Sequence, residues 1–219
     1  MRYLFDGPAD ATHTMLLAHG AGGAMDSAGM VSLAEALAGA GLRVARFEFG
    51  YMAARRTGAK KPPPKAETLM GEYRAALAAL EVPGSVFIGG KSMGGRVASM
   101  VADDLLAERR ICGLVCIGYP FHPPQHPDRL RTAHLTGLKT PALICQGTRD
   151  AFGTRDEVAT YGLSDSIELR WYEDGDHDLK PRKRISGFTA RDHIQALARD
   201  VRDWMNGVAS RTGGTGAPG

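Results

Sequence analysis

Residues 90–94 read Gly-Lys-Ser-Met-Gly, a serine between two glycines at the spacing G-x-S-x-G. An apolar run of strand length precedes them, and a segment of helical periodicity follows. A tight strand-to-helix turn lifts the serine hydroxyl out of a sheet, and side chains at positions 90 and 94 would collide across it. The pattern predicts that Ser92 is a nucleophile, with Gly90 and Gly94 as the glycines of the turn.

The same stretch contains Gly-Lys-Ser, with which a phosphate-binding P-loop ends. A P-loop places its first glycine six positions before the lysine, and that position here is Ser85. Residues 86–88 are apolar strand residues, whereas a P-loop needs a free loop there to wrap phosphates. A dinucleotide fingerprint fails on glycine spacing as well. The nucleophile interpretation is preferred, and a packing turn that merely contains a serine stays as the alternative.

A nucleophilic serine needs a base, and the base needs an acid that orients it. Asp150 lies in the turn after the apolar run 142–147, and His177 lies in the loop after the next run, 167–173. The chain order Ser, Asp, His is the one expected when the serine sits on such a turn. We therefore expect Ser92 as nucleophile, His177 as base and Asp150 as orienting acid.

The oxyanion of an acyl-transfer intermediate requires N–H donors near the serine. Residues 18–23 read Ala-His-Gly-Ala-Gly-Gly after an apolar run, and their small side chains let the backbone approach a substrate. We assign the oxyanion hole to the backbone N–H groups of Ala21 and Met93. His19 is expected to shape this loop and not to act as the base. The candidate pocket-lining residues are His19, Tyr51, Tyr119 and His122.

Competing roles were weighed for the histidines and acids. His122 is the second candidate for base, although its place in the chain order is wrong. The three aspartates at 174, 176 and 178 are too close in sequence to His177 to reach its far ring nitrogen. The run 174–179 lacks the glycine and glutamate of a calcium loop, and no other metal-ligand spacing occurs. We expect no metal and no organic cofactor.

Composition limits the class of protein. The chain has 219 residues, is 43% hydrophobic and carries a net charge of +3, which suits one domain, predicted at 1–208, and a flexible tail at 209–219. No broad basic face and no membrane-length apolar run occur, so we expect neither nucleic-acid nor membrane binding. Three cysteines in apolar runs and no export signal favour a cytoplasmic protein. Nothing indicates an oligomeric state.

Apolar runs of strand length alternate with segments of helical period. The predicted strands are 14–19, 43–49, 85–89, 113–118, 142–147 and 167–173, and the predicted helices are 27–39, 66–80, 93–107, 156–161 and 188–207. Strict alternation with nearly continuous apolar strands predicts an α/β fold, in which helices cover both faces of a mostly parallel central sheet. Ligands of such sheets bind at the carboxyl ends of the strands, where the candidate residues lie.

Several stretches together carry a family resemblance. They are "LAHGAGG", "GGKSMGGR", "GYPFHPP", "CQGTRDAFG" and "DHDLKPRK". The chain resembles small α/β-hydrolases of the dienelactone-hydrolase kind, and more specifically the predicted α/β-family hydrolases related to testis-expressed and chromatin-complex proteins of animals. The resemblance implies the α/β-hydrolase fold and the same triad of Ser92, Asp150 and His177. It supplies no substrate, because fold does not fix function.

The pocket is expected to be shallow, because only about 22 residues separate the strands at 113–118 and 142–147, too few for a cap domain. Its expected walls are the loops 51–65 and 119–135 and the basic segment after His177. Four basic residues could attract a carboxylate or a phosphate-bearing ester: Arg55, Arg56, Lys60 and Lys180.

The sequence therefore predicts a serine hydrolase that acts on small ester or thioester substrates through an acyl-enzyme. Two alternatives stay open. One is a non-catalytic protein-interaction module that keeps the fold, and the other is an amidase or peptidase that uses the same residues.

Overall fold

A seven-stranded sheet forms the centre of the computed structural model, which describes residues 1–58 and 62–213. The strands are β1 Tyr3–Asp6, β2 His13–Ala18, β3 Arg43–Phe47, β4 Ser85–Lys91, β5 Gly113–Ile117, β6 Ala142–Gly147 and β7 Ile167–Tyr172. Their order is β1-β3-β2-β4-β5-β6-β7, and only β1 runs antiparallel to its neighbour. The loops that leave β2, β4, β5, β6 and β7 therefore emerge at one edge of the sheet.

Helices cover both faces of this sheet. They are α1 Ala28–Gly39, α2 Gly50–Arg56, α3 Met70–Ala78 after a 3-10 turn at Ala66–Leu69, α4 Met93–Ala107, α5 Arg155–Val158, α6 Lys183–Ser186 and α7 Ala190–Gly213. One face packs against α1 and α7, and the other packs against α3 and α4. The connection from β5 to β6 is made of turns and bends, and the described residues contain no separate cap domain.

The alternation of strand side chains explains why two cores form. Leu16 and Ile88 point to the α3–α4 side, whereas Met15 and Phe87 point to the α1–α7 side. All four are fully buried, which fits strands that are apolar on both faces. Trp204 of α7 closes the second core, with its ring 6.0 Å from that of Phe87.

Six strands and the two-sided helical cover are as predicted. Strand β1 was missed because it is a four-residue edge strand with little burial pattern of its own. The segment 51–65, predicted as a loop, begins with helix α2, and residues 59–61 lie outside the described part of the chain.

Helix α7 continues to Gly213, past residue 209, where the sequence predicts that a flexible tail begins. The physical reason is packing: Val208 is almost fully buried against the α1–α7 core, and that contact carries the helix onward. Residues 214–219 lie outside the described residues. Within the described ranges, no helix is both long and apolar enough to cross a membrane.

Cys116 and Cys145 are buried in β5 and β6, Cys112 is partly exposed, and none of the three forms a disulfide.

Candidate active site

Ser92 occupies the turn between the end of β4 and the start of α4. Its backbone angles, φ 52° and ψ −119°, lie in a region that non-glycine residues rarely adopt. The turn is held on both sides, because the Ser92 N–H donates to the Ile117 carbonyl at 2.9 Å and its carbonyl accepts from Arg96 N–H at 3.1 Å. The surrounding structure thus fixes a strained serine at the edge of the sheet.

The glycines of this turn are sterically required. A Cβ on Gly90 would lie 2.6 Å from the backbone nitrogen of Gly95, and one on Gly94 would lie 2.6 Å from the His19 carbonyl oxygen. The predicted collision across the turn therefore has specific partners. Gly95, which the sequence analysis did not single out, is equally constrained, since its Cβ would lie 2.7 Å from the Gly90 carbonyl oxygen.

The three residues expected from chain order come together at this edge. His177 Nε2 lies 2.8 Å from Ser92 Oγ, and His177 Nδ1 lies 2.8 Å from Asp150 Oδ2. The Asp150 side chain is fully buried, whereas that of His177 is 24% exposed. Asp150 also accepts hydrogen bonds from the side-chain amide of Gln146 at 2.8 Å and from Phe152 N–H at 2.9 Å. These extra donors fix the carboxylate while the imidazole stays accessible from the solvent side.

This arrangement sets the proton positions. An ionised carboxylate only accepts, so Asp150 selects the tautomer in which Nδ1 of His177 carries the hydrogen. The lone pair of Nε2 then faces the Ser92 hydroxyl, which is the arrangement that general-base catalysis needs. The Phe152 ring packs over the imidazole with the ring centres 4.2 Å apart and restricts its rotation.

The loop that carries His177 is cross-linked by its own aspartates. The Asp174 carboxylate accepts from Arg149 at 3.1 Å and from both the backbone and the side chain of Arg182. Asp176 Oδ1 accepts from two backbone N–H groups further along the loop, each at 2.9 Å. Neither aspartate bonds to the His177 ring, so they shape the loop while Asp150 contacts the imidazole.

Lys91 precedes the serine but points away from its hydroxyl. Its Nζ donates to the His177 carbonyl at 2.7 Å and pairs with the Asp178 carboxylate at 3.3 Å. Burial lowers the pKa of Lys91, and the carboxylate of Asp178 opposes that shift. A Ser-Lys dyad is not formed, and the ammonium instead ties the turn after β4 to the loop after β7.

His19 holds the loop that follows β2. The side chain is fully buried, its Nε2 accepts from Phe49 N–H at 3.1 Å and its Nδ1 donates to the Gly20 carbonyl at 2.7 Å. Burial also lowers the pKa of His19, which favours the neutral ring that these contacts require. This matches the expected shaping role, because no free ring nitrogen is left to act as a base.

The two N–H groups assigned to the oxyanion hole belong to the loop after β2 and to the start of α4. Met93 follows the serine directly, and Ala21 belongs to the loop after β2, where the Tyr51 hydroxyl donates to its carbonyl at 3.0 Å. Neither N–H has a protein acceptor within the residues that the structure describes. Both are therefore available to a ligand.

A cleft opens beside Ser92. It has a volume of about 1380 Å³ and runs between α1 and α7, with the loop 20–23 and residues 177–180 at its mouth. Neither loop 119–135 nor the described part of 51–65 lines it, because these segments pack on the α3–α4 side of the site. Of the expected walls, only the segment after His177 contributes.

None of the four candidate lining residues lies along this cleft. His19, Tyr119 and His122 are buried and do not face the cleft, and Tyr51 packs over the loop after β2. His122 Nδ1 contacts the Pro123 carbonyl at 2.9 Å, and its Nε2 faces Glu157 at 3.6 Å. It makes no contact with Ser92 and is not a base for it.

The basic residues that were expected to attract an anionic substrate lie in different places. Arg56 is tied to Glu48 and Asp26, Arg55 lies over the Tyr51 ring, and only Lys180 lines the cleft. Lys60 lies outside the described residues. Among those that are described, no three metal-binding side chains cluster.

A family profile described as "Alpha/beta hydrolase domain" matches residues 11–206. The chain belongs to this α/β-hydrolase domain family. Its fold is the α/β-hydrolase fold, and the strained serine turn lies where that fold carries its nucleophile. The closer relationship to testis-expressed and chromatin-complex proteins stays a prediction.

Solved structures with the same fold include lidless hydrolases. An α/β serine hydrolase without a lid from Xanthomonas campestris is 21% identical, with a TM-score of 0.65 over 91% of this chain and 87% of that one. A dienelactone hydrolase from Anabaena variabilis is also 21% identical, with a TM-score of 0.65 over 91% and 88%. An esterase domain from Rhodothermus marinus is 17% identical, with a TM-score of 0.62 over 92% and 90%. At such identities the likeness concerns the fold.

Proposed function

We propose that this α/β-hydrolase is a serine carboxylesterase or thioesterase for small acyl substrates. The observation that carries the proposal is the continuous chain of two 2.8 Å contacts from Asp150 through His177 to a serine on a strained turn. The family and the esterase among the similar structures agree with this class of reaction. The partner is a small-molecule ester, and the route needs no cofactor.

The reaction starts when His177 Nε2 takes the proton of Ser92 Oγ as the oxygen attacks the substrate carbonyl. The carbonyl oxygen becomes an oxyanion, which the N–H groups of Ala21 and Met93 hold. The buried Asp150 carboxylate stabilises the imidazolium that has formed. His177 then returns the proton to the departing alcohol or thiol, and the acyl group stays on Ser92.

Deacylation repeats these steps with water. His177 removes a proton from a water molecule, the hydroxide attacks the acyl-enzyme, and the carboxylic acid leaves as Ser92 Oγ regains its proton. The 24% exposure of the imidazole gives water access to Nε2.

The test is turnover of p-nitrophenyl acetate and butyrate, with mass spectrometry after a fluorophosphonate. We expect Ser92→Ala and His177→Ala each to lower kcat by about 10⁴-fold or more, and the adduct to map to Ser92. A matched control is Ser99→Ala, which removes the other close serine–histidine contact, 2.8 Å from His134, without touching the site. A folded wild type with neither adduct nor turnover would refute the proposal and favour the interaction module.

A panel of ester, thioester and amide substrates with one acyl group then separates the reaction classes. We expect kcat/KM to rank the ester and the thioester above the amide. The reverse order would favour the amidase alternative.

A further inference from the structure

The cleft beside Ser92 continues as a groove along the helical face of the molecule. Helices α1 and α7 both begin at the strand ends that form the site and run away from it. Gly29 and Arg191 line the near end of this α1–α7 groove, and Gly39 and Arg202 line the far end. At 1.5 Å per helical residue, the α1 wall from Gly29 to Gly39 spans ~15 Å. The groove is therefore much longer than an acetyl group needs.

The floor of the groove is apolar. Its lining includes Leu33, Ile117, Leu179, Ile194 and Ala198. The α1 wall is low because it carries small residues, among them Gly29, Ala36, Gly39 and Ala40. A Cβ on Gly29 or on Gly39 would meet nothing within 4 Å, so the space above both is open. A trough with such a floor suits an extended hydrocarbon chain.

The opposite wall is positively charged. Arg191, Arg199 and Arg202 of α7 line the groove, and they face a single acidic residue on α1, Glu35. Arg202 is paired with Asp203 at 2.7 Å, but Arg191 and Arg199 have no ion-pair partner in residues 1–58 and 62–213. The guanidinium groups of Arg191 and Arg199 are thus balanced by no ion pair within the described residues, and their positive charge attracts an anionic group.

We propose that the α1–α7 groove binds the acyl chain of the substrate, and that this chain is long, apolar and ends in an anionic group such as a carboxylate. The inference rests on the proposed function, because the scissile carbonyl must lie at Ser92 while the chain follows the groove. Arg199, towards the far end of the groove, then receives the terminal carboxylate. The continuity of the groove with the serine favours a substrate chain over a partner protein as its occupant.

Chain length gives the first test. Wild-type kcat/KM is measured for p-nitrophenyl acetate, butyrate, octanoate and dodecanoate below their aggregation limits. If half of each added methylene is buried, four methylenes raise kcat/KM by about tenfold from butyrate to octanoate. A flat or falling series would overturn the proposal.

Blocking variants locate the chain. Gly39→Phe fills the far end and should lower the ratio of kcat/KM for the dodecanoate to that for the acetate by about tenfold. Gly29→Phe should already lower the ratio for the octanoate to the acetate. The matched control is Gly71→Phe on α3, which also meets nothing within 4 Å but lies outside the groove. Equal effects of Gly39→Phe and Gly71→Phe on the dodecanoate would refute the placement.

The terminal charge is tested with esters of equal length that end in a carboxylate or a methyl group. The wild type should favour the carboxylate, and Arg199→Gln should reduce that preference by about two- to fivefold, the range of an exposed ion pair. Rising salt should shrink the preference in the wild type only. A wild type without preference would refute the anionic end group.

The two proposals fail in different ways. The Ser92→Ala variant, which cannot turn over, should still bind dodecanedioic acid by calorimetry, and Gly39→Phe in that background should weaken binding. Turnover of acetate without such binding would overturn the groove and leave the hydrolase. If dodecanedioic acid binds but the wild type shows no Ser92-dependent turnover, the proposed hydrolase activity is wrong. The assignment of the groove as an acyl-binding site is then wrong as well.

Discussion

Lys91 is the side chain through which the nucleophile turn and the His177 loop can be uncoupled. Lys91→Met keeps the apolar stem but removes the hydrogen bond to the His177 carbonyl, 2.7 Å in length, and the 3.3 Å ion pair with Asp178. A hydrogen bond from a charged donor contributes about 1.5–3 kcal/mol. If the lower figure appears as poorer placement of the imidazole, kcat falls about tenfold.

The stability of this variant should change in a different way. Lys91 is 18% exposed, and burying its ammonium is costly, so a methionine recovers part of that cost. Asp178 loses a partner, but its side chain is 56% exposed and water replaces the lysine. We expect the free energy of unfolding to stay within about 1 kcal/mol of the wild type while kcat falls. A purely structural role would instead move stability and leave kcat unchanged.

The assay is kcat and KM for p-nitrophenyl acetate, with the rate of fluorophosphonate labelling of Ser92 and a urea melt. The matched control is Lys180→Met, because Lys180 pairs with the same Asp178 at 3.3 Å but is 63% exposed. The control should keep its kcat and labelling rate. If Lys91→Met labels and turns over like the wild type, the idea that Lys91 positions His177 is wrong.

Three further predictions concern the framework. Gly94→Ala should lower the free energy of unfolding in a urea melt by about 1–3 kcal/mol, because the new Cβ would collide with backbone oxygens. Gly71→Ala has free space around it and should raise the free energy of unfolding by up to ~1 kcal/mol. Tyr73→Phe should lower the free energy of unfolding in a urea melt by about 1–3 kcal/mol, because its buried hydroxyl lies within hydrogen-bond distance of two strand carbonyls and accepts from one strand N–H. The control is Tyr161→Phe, for which we expect a change near zero. Hydrogen bonds from Arg182 lower the Asp174 pKa from 3.8 to about 2. The ionised Asp174 therefore stabilises the fold above pH 3.8, and this stabilisation is lost as the pH falls towards 2. The melting temperatures of the wild type and of Asp174→Asn should converge over that range.

The convergence of Ser92, His177 and Asp150 could be predicted because its signals are local. Ser92 is marked by glycines two positions away on either side, and Asp150 and His177 each follow a recognisable strand. The sheet edge then brings the three together whatever the details of helix packing. The turn geometry, including the strain at Ser92, follows from the same five-residue pattern.

The location of the cleft could not be predicted because it depends on two distant helices. Leu197 and Val201 recur at helical spacing in α7, and both are fully buried. Periodicity cannot show that the neighbouring Ile194 stays half-buried and faces α1, since that depends on where helices about 150 residues apart lie on the sheet. The expected walls were therefore assigned to the nearest proline-rich loops.

The acidic run around His177 has a role that follows from the missing cap. Since residues 1–58 and 62–213 contain no domain above the site, the loop that carries His177 has solvent on one side, and 24% of the imidazole is exposed. The position of the imidazole must then be fixed by the turn after β4 and by contacts within the loop itself. Asp174, Asp176 and Lys91 do this through hydrogen bonds to arginines and to the loop backbone, and the His193 ring adds a 2.8 Å contact to the Leu179 carbonyl. Charges that resemble a metal loop in sequence thus serve as internal cross-links, and they let an open site keep its base within hydrogen-bond distance of the serine.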